Sequence, residues 1–151
     1  MEKLSIFKFK SYSNEPNHLQ NIYLPMLFSS TVSCGFPSPA EDYIETPLDL
    51  NEYLITKPAA TFFVRAKGDS MVGAGIYDGD LLIIDRSKTP IHDSVVLAVV
   101  NGEFTLKRLL KFRERVVLSP ENPKYQPITI TEEMDFRIWG VVAYSVHKHI
   151  K

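Results

Sequence analysis

The segment from Ser94 to Phe112 constrains the fold more than any other. A β-branched and apolar run, Val95-Val96-Leu97-Ala98-Val99-Val100, is separated from Glu103-Phe104-Thr105-Leu106-Lys107-Arg108-Leu109 by Asn101-Gly102 alone. Asn and Gly both readily take the positive φ of a type I′ turn, whose twist matches that of the strands it joins. An antiparallel hairpin over residues 94–112 is therefore predicted. Four further runs rich in β-branched and aromatic residues stand between turn residues: Thr61 to Arg65, Leu81 to Asp85, Arg115 to Leu118 and Arg137 to His147. The expected fold is mostly β, a compact domain of short antiparallel strands. One short helix is expected from Thr46, where a threonine suited to the N-cap precedes Pro47 at the first helical position and leucines follow at 50 and 54.

Residues 1–45 lack periodicity and contain Pro16, Pro25, Pro37 and Pro39, with Ser and Thr gathered around Cys34. They predict an extended, mobile N-terminal arm, leaving residues 46–151 as the β-rich domain. Nothing in the arm resembles a helix-turn-helix, and 17 Lys and Arg against 18 Asp and Glu leave a net charge of −1. Direct sequence-specific DNA binding is disfavoured on both grounds. The 151 residues, 44% of them hydrophobic, suffice for one buried core. A single cysteine forms no internal disulfide, and no Cys and His cluster has zinc-ligand spacing, so the simplest expectation is a cytoplasmic protein without metal or cofactor. His147 and His149, near the terminus, are expected to be solvated. The charged N-terminus lacks the apolar run of a secretory signal, and the longest apolar runs fall well short of the ~20 residues that span a bilayer.

Gly68-Asp69-Ser70-Met71 follows the apolar strand Phe62-Phe63-Val64-Arg65 and precedes the glycine-rich stretch Val72-Gly73-Ala74-Gly75. Gly, Asp and Ser are also ordinary turn residues, which is the bland reading of the tetrapeptide. A catalytic serine requires a base, because its hydroxyl is a poor nucleophile until its proton is taken. His18 lies in the arm, His92 beside a turn, and His147 and His149 at the end, so no histidine has an obvious acidic partner. Lysine is the other base paired with serine. Lys107 shares a strand face with Thr105 and Leu109 by the two-residue period, where apolar neighbours would lower its pKa from ~10.4 toward the ~7–8 of catalytic lysines. The alternative is a solvated charge beside Arg108 and Lys111, and spacing does not separate the two.

Four segments taken in order carry a resemblance: Cys34-Gly35-Phe36-Pro37-Ser38-Pro39-Ala40, Gly68-Asp69-Ser70-Met71, Asp78-Gly79-Asp80-Leu81-Leu82-Ile83, and Gly102-Glu103-Phe104-Thr105-Leu106-Lys107-Arg108-Leu109. From about residue 26 onward, the chain resembles the LexA/UmuD family of self-cleaving serine peptidases, whose β domain is shared with signal peptidases. The resemblance implies Ser70 as nucleophile, Lys107 as general base and Cys34-Gly35 as the bond cut, with the Ser70 and Met71 amides as oxyanion-hole candidates. It further implies an SOS-response role: cleavage prompted by a RecA filament on single-stranded DNA, then a shortened homodimer serving a UmuC-like Y-family translesion polymerase. Cys34 is then part of the substrate, and Gly35, lacking a β-carbon, lets the segment lie close to the nucleophile.

Other functions are conceivable for the same residues. A LexA-like repressor needs a DNA-binding domain ahead of the cleavage bond, where 34 residues stand. A signal-peptidase-like enzyme acting in trans lacks a membrane segment here, and a noncatalytic β-rich interaction domain would need neither Ser70 nor Lys107.

Overall fold

A computed structural model describes residues 24–28, 31–36 and 45–151. The chain divides into two compact units that meet in sequence between Thr56 and Lys57. Each is treated by itself.

In the N-terminal unit, strand β1 (Met26–Phe28) pairs antiparallel with β2 (Glu45–Pro47), Met26 opposite Pro47 and Phe28 opposite Glu45. The Leu48 N–H donates to the Pro25 carbonyl at 2.9 Å and extends the pairing. This pairing was not expected, since strands of three residues are too short to show a period. The rest of the expected arm, residues 1–23, 29–30 and 37–44, with Pro16, His18, Pro37 and Pro39, lies outside the described residues.

Helix α1 (Leu50–Leu54) begins later than Thr46-Pro47 suggested. Thr46 and Pro47 belong to β2, and Asp49 is the N-cap, its carboxylate accepting from the Asn51 N–H at 2.8 Å and the Glu52 N–H at 3.4 Å. A residue before proline is biased away from helical angles, which keeps Thr46 extended, and Asp49 offers the capping oxygen further on.

The second unit holds a seven-stranded antiparallel sheet in the order β3-β4-β9-β5-β6-β7-β8. Its strands are β3 (Thr61–Arg65), β4 (Leu81–Asp85), β5 (Val95–Val100), β6 (Glu103–Lys111), β7 (Val116–Ser119), β8 (Ile128–Thr129) and β9 (Phe136–Val146). The domain is mostly β, as its strand runs predict, and only the two-residue β8 was missed. Between β5 and β6, Asn101 (φ 50°) and Gly102 (φ 82°) make the expected turn, with Val100 opposite Glu103 and Val96 opposite Lys107. Strand β9 enters the middle of the sheet, pairing with β4 on one side and β5 on the other.

Alternation along β5 divides the core between two clusters. Leu97 joins Met71, Ile76, Leu82 and Ile84 in one; Val96 and Ala98 join Leu109 and Leu118 in the other. Burying both faces explains why β5 is a continuous apolar run and not an alternating one. Each large apolar side chain so buried contributes roughly 1.5–3 kcal/mol. Met71 and Ile76 come from the loop between β3 and β4, so that loop is anchored in the core. Among the described residues, no helix is long and apolar enough to cross a membrane.

Candidate active site

Ser70 sits in the excursion that leaves β3 at Arg65 and enters β4 at Leu81. The foot of the excursion is closed by the Ala66 N–H to the Asp80 carbonyl (2.8 Å) and the Gly79 N–H to the Ala66 carbonyl (2.9 Å). Above it, the Gly68 N–H donates to Asp78 Oδ1 at 2.6 Å. Met71, 3% exposed, then pins the chain immediately after Ser70 to the core.

The segment after β7 clamps the same turn. The Glu121 N–H donates to the Ser70 carbonyl and the Gly73 N–H to the Glu121 carbonyl, each at 2.8 Å, while Asn122 Nδ2 donates to the Asp69 carbonyl at 2.9 Å. The Tyr125 hydroxyl donates to the Asp69 carboxylate, and chiefly for that reason the carboxyl titrates below the usual range and the phenol above it.

Lys107 reaches this turn from β6. Its Nζ lies 3.3 Å from Ser70 Oγ, 3.1 Å from Thr105 Oγ1 and 3.0 Å from the Leu106 carbonyl oxygen. An ammonium has three protons for these three acceptors. A neutral amine gives its two N–H groups to Thr105 and Leu106 and turns its lone pair on the serine hydroxyl. Burial pushes the Lys107 pKa below the ordinary lysine value, and among the described residues no carboxylate pairs with the ammonium to oppose that. The solvated-charge alternative does not hold. Arg108 turns elsewhere, its Nε to the Glu121 carboxylate and its NH1 to the Asp93 carbonyl at 2.6 Å.

Cys34 and Gly35 belong to the N-terminal unit, in the connection between β1 and β2. Both are exposed, Cys34 carries a free thiol, and the Gly35 N–H approaches Ser33 Oγ at 3.4 Å.

Among the described histidines, none bonds to Ser70. The His92 ring engages the Lys111 backbone. His147 and His149 are both exposed, as expected, but His147 is also engaged: its Nδ1 meets the buried Asp80 carboxylate, and its ring lies 4.9 Å from that of Tyr77 and 4.7 Å from that of His149. Asp80 is 2% exposed and also accepts the Tyr77 N–H at 2.8 Å. A buried carboxylate needs such partners, and His147 is in place to supply one. Among the described residues, no group of three or more His, Cys, Asp or Glu is arranged to hold a metal ion.

Residues 121, 122 and 125 were missed from the sequence. They lie in Pro120-Glu121-Asn122-Pro123-Lys124-Tyr125, which has the composition of an ordinary turn, and their contacts to Asp69, Ser70 and Gly73 cross some fifty residues.

The antiparallel β domain thus carries a serine on a core-anchored turn, with a desolvated lysine against its hydroxyl. Residues 25–143 match the family model described as Peptidase S24-like, and the chain belongs to that family. It is thereby a self-cleaving serine peptidase of the SOS-related LexA/UmuD kind that its motifs resemble. It is 48% identical to protein ImpA of Salmonella typhimurium over 126 residues, covering 83% of this chain and 86% of that one. Protein SamA of Salmonella typhimurium strain LT2 is 49% identical over 122 residues, 81% of this chain and 84% of its own. Protein MucA of Escherichia coli is 44% identical over 119 residues, 78% and 81% of the two chains.

Proposed function

We propose that Ser70 and Lys107 form a catalytic dyad that cuts the Cys34-Gly35 bond of this same protein, so that residues 1–45 are an arm of which the first 34 residues are removed. The observation that carries this reading is the Lys107 Nζ to Ser70 Oγ contact of 3.3 Å at a lysine whose pKa burial lowers. Neutral Lys107 takes the Oγ proton as Oγ attacks the Cys34 carbonyl carbon. The Ser70 and Met71 N–H groups hold the oxyanion that forms. Collapse breaks the bond to Gly35, whose amine leaves with the proton returned by Lys107, and an ester joins Cys34 to Ser70. Lys107 then deprotonates a water that hydrolyses the ester, freeing the Cys34 carboxylate and restoring the Ser70 hydroxyl. One water is consumed per cut.

In the SOS response the shortened chain would act in the cytoplasm as a homodimer, an accessory subunit of a UmuC-like Y-family translesion polymerase, after cleavage prompted by a RecA filament on single-stranded DNA. The likeness to ImpA, SamA and MucA over most of their lengths supports this role.

Alkaline incubation of the purified chain followed by intact-mass measurement tests the chemistry. A single cut between 34 and 35, abolished in Ser70→Ala and in Lys107→Ala, is expected. Cleavage elsewhere, or unchanged cleavage in either variant, overturns it. The accessory role predicts that the shortened chain, and not Ser70→Ala, co-purifies with the polymerase subunit; equal recovery of both overturns that role.

A further inference from the structure

Among the described residues, neither the Ser70 nor the Met71 N–H donates to a protein acceptor, yet each belongs to a peptide group whose other end is held. The N–H and C=O of a trans peptide point in opposite directions, and no cis bond occurs among the described residues. The Asp69–Ser70 peptide gives its carbonyl to Asn122 Nδ2, and the Ser70–Met71 peptide gives its carbonyl to the Glu121 N–H. With both carbonyls drawn to residues 121 and 122, the Ser70 and Met71 N–H groups are turned away from that segment and left unbonded.

We infer that Asn122 is a positioning residue for self-cleavage, its carboxamide and the neighbouring Glu121 amide together aiming the two N–H groups that receive the oxyanion. The inference rests on the reading of Ser70 as nucleophile. Donors aimed in advance are effective because they need not reorient as charge develops. Asn122 suits this task because it is itself locked. It is 9% exposed, its Oδ1 accepts the Lys124 N–H at 3.0 Å, and its own carbonyl accepts the Tyr125 N–H at 3.1 Å. Glu121 is fixed as firmly, by Gly73 at its carbonyl and by Arg108 at its carboxylate. Without the carboxamide, the Asp69 carbonyl keeps only the Val72 N–H at 3.4 Å, and the peptide that carries the Ser70 N–H is free to rotate.

The decisive variant is Asn122→Asp, which keeps Oδ1 for the Lys124 N–H and puts a second oxygen where the donor stood. Self-cleavage of the full chain is followed from neutral to alkaline pH, with Ser70→Ala and Lys107→Ala beside it. The plateau rate of Asn122→Asp is expected to fall about ten- to a hundred-fold, less than or comparable to the loss of one oxyanion donor, and any move of the midpoint should be upward, since the new carboxylate favours the Lys107 ammonium. An unchanged plateau while Ser70→Ala is inactive overturns the inference and leaves the dyad standing; cleavage by Ser70→Ala overturns the dyad itself. A rate lost only below the midpoint and recovered in full on the plateau ties Asn122 to the base and also overturns the positioning role. Should circular dichroism show Asn122→Asp unfolded, amide hydrogen exchange on the uncleaved Lys107→Ala chain decides. Fast exchange at Ser70 and Met71 beside slow exchange at Gly73 and Glu121 supports the inference, and protection at Ser70 and Met71 overturns it.

Discussion

The Glu121 carbonyl oxygen lies 2.8 Å from the Gly73 nitrogen and would lie 2.6 Å from a β-carbon placed on Gly73. Backbone meets backbone here, so no flexible side chain can yield. Gly73→Ala must push the Glu121 segment away from the turn that carries Ser70, at a cost of about 1–3 kcal/mol by the usual range for overpacking. Thermal unfolding should show the loss, and alkaline self-cleavage should slow with it. Gly35→Ala is the contrasting substitution, since open space surrounds Gly35 and its melting temperature should hardly move.

On the proposed mechanism, Lys107 governs two pH dependences. Self-cleavage should quicken as pH rises through the folded-state pKa of the amine, with a midpoint below the ~10.4 of free lysine, because only the neutral form accepts the serine proton. A rate that is flat from neutral to alkaline pH excludes Lys107 as the base.

Stability follows the same proton with a defined sign. Burial places the folded pKa below the unfolded one, so between the two the unfolded chain binds more protons and stability rises with pH. Lys107→Met, inactive but free of the buried charge, should therefore melt above Ser70→Ala at neutral pH. The gap should close as pH passes ~10.4, and denaturant titration at the two extremes measures it.

His147→Ala should cost about 1–3 kcal/mol by leaving the buried Asp80 carboxylate with only the Tyr77 amide. Burial alone would raise the Asp80 pKa, but the Tyr77 amide and the His147 ring outweigh it and hold the carboxyl below its usual range. A carboxyl so depressed stabilises the fold above the unfolded value of ~3.9, and the stabilisation disappears as pH falls through the folded pKa. Acid unfolding, followed by the fluorescence of Trp139, the single tryptophan, should begin at higher pH in His147→Ala than in the parent chain.

Cys34→Ala should self-cleave at the parent rate, since on the proposed mechanism only the Cys34 carbonyl carbon reacts. Intact-mass time courses compare the two. A large loss of rate would give the thiol a part in the chemistry that the mechanism does not assign it.

Strands were legible wherever several β-branched or aromatic residues ran between turn signals. β3 and β4 fall on the expected residues, and β5, β6, β7 and β9 within a residue or so at either end. The turn at Asn101-Gly102 was legible because few other residue pairs accept its angles. The pairing of β1 with β2 was not, since three residues carry no period and their contact spans a proline-rich stretch. The Ser70 and Lys107 approach was legible only through the resemblance, because strand spacing alone says nothing of which loop a lysine faces. The His147 partner could have been read from register: Leu81 pairs with Val146, which sets the residue before one opposite the residue after the other. The Asn122 contacts had no such signal, for they depend on two loops meeting.

The β1 and β2 pairing has a consequence for the outcome of a cut between Cys34 and Gly35. In the intact chain, residues 29–44 tether Met26–Phe28 to Glu45–Pro47, so the two strands meet at the millimolar-range local concentration typical of short linkers. Severing the tether removes that advantage at once. Two strands of three residues are too small a pairing to persist in water unaided. On the proposed mechanism, β1 would then find β2 again only by a bimolecular encounter, which dilution disfavours with no further input of energy.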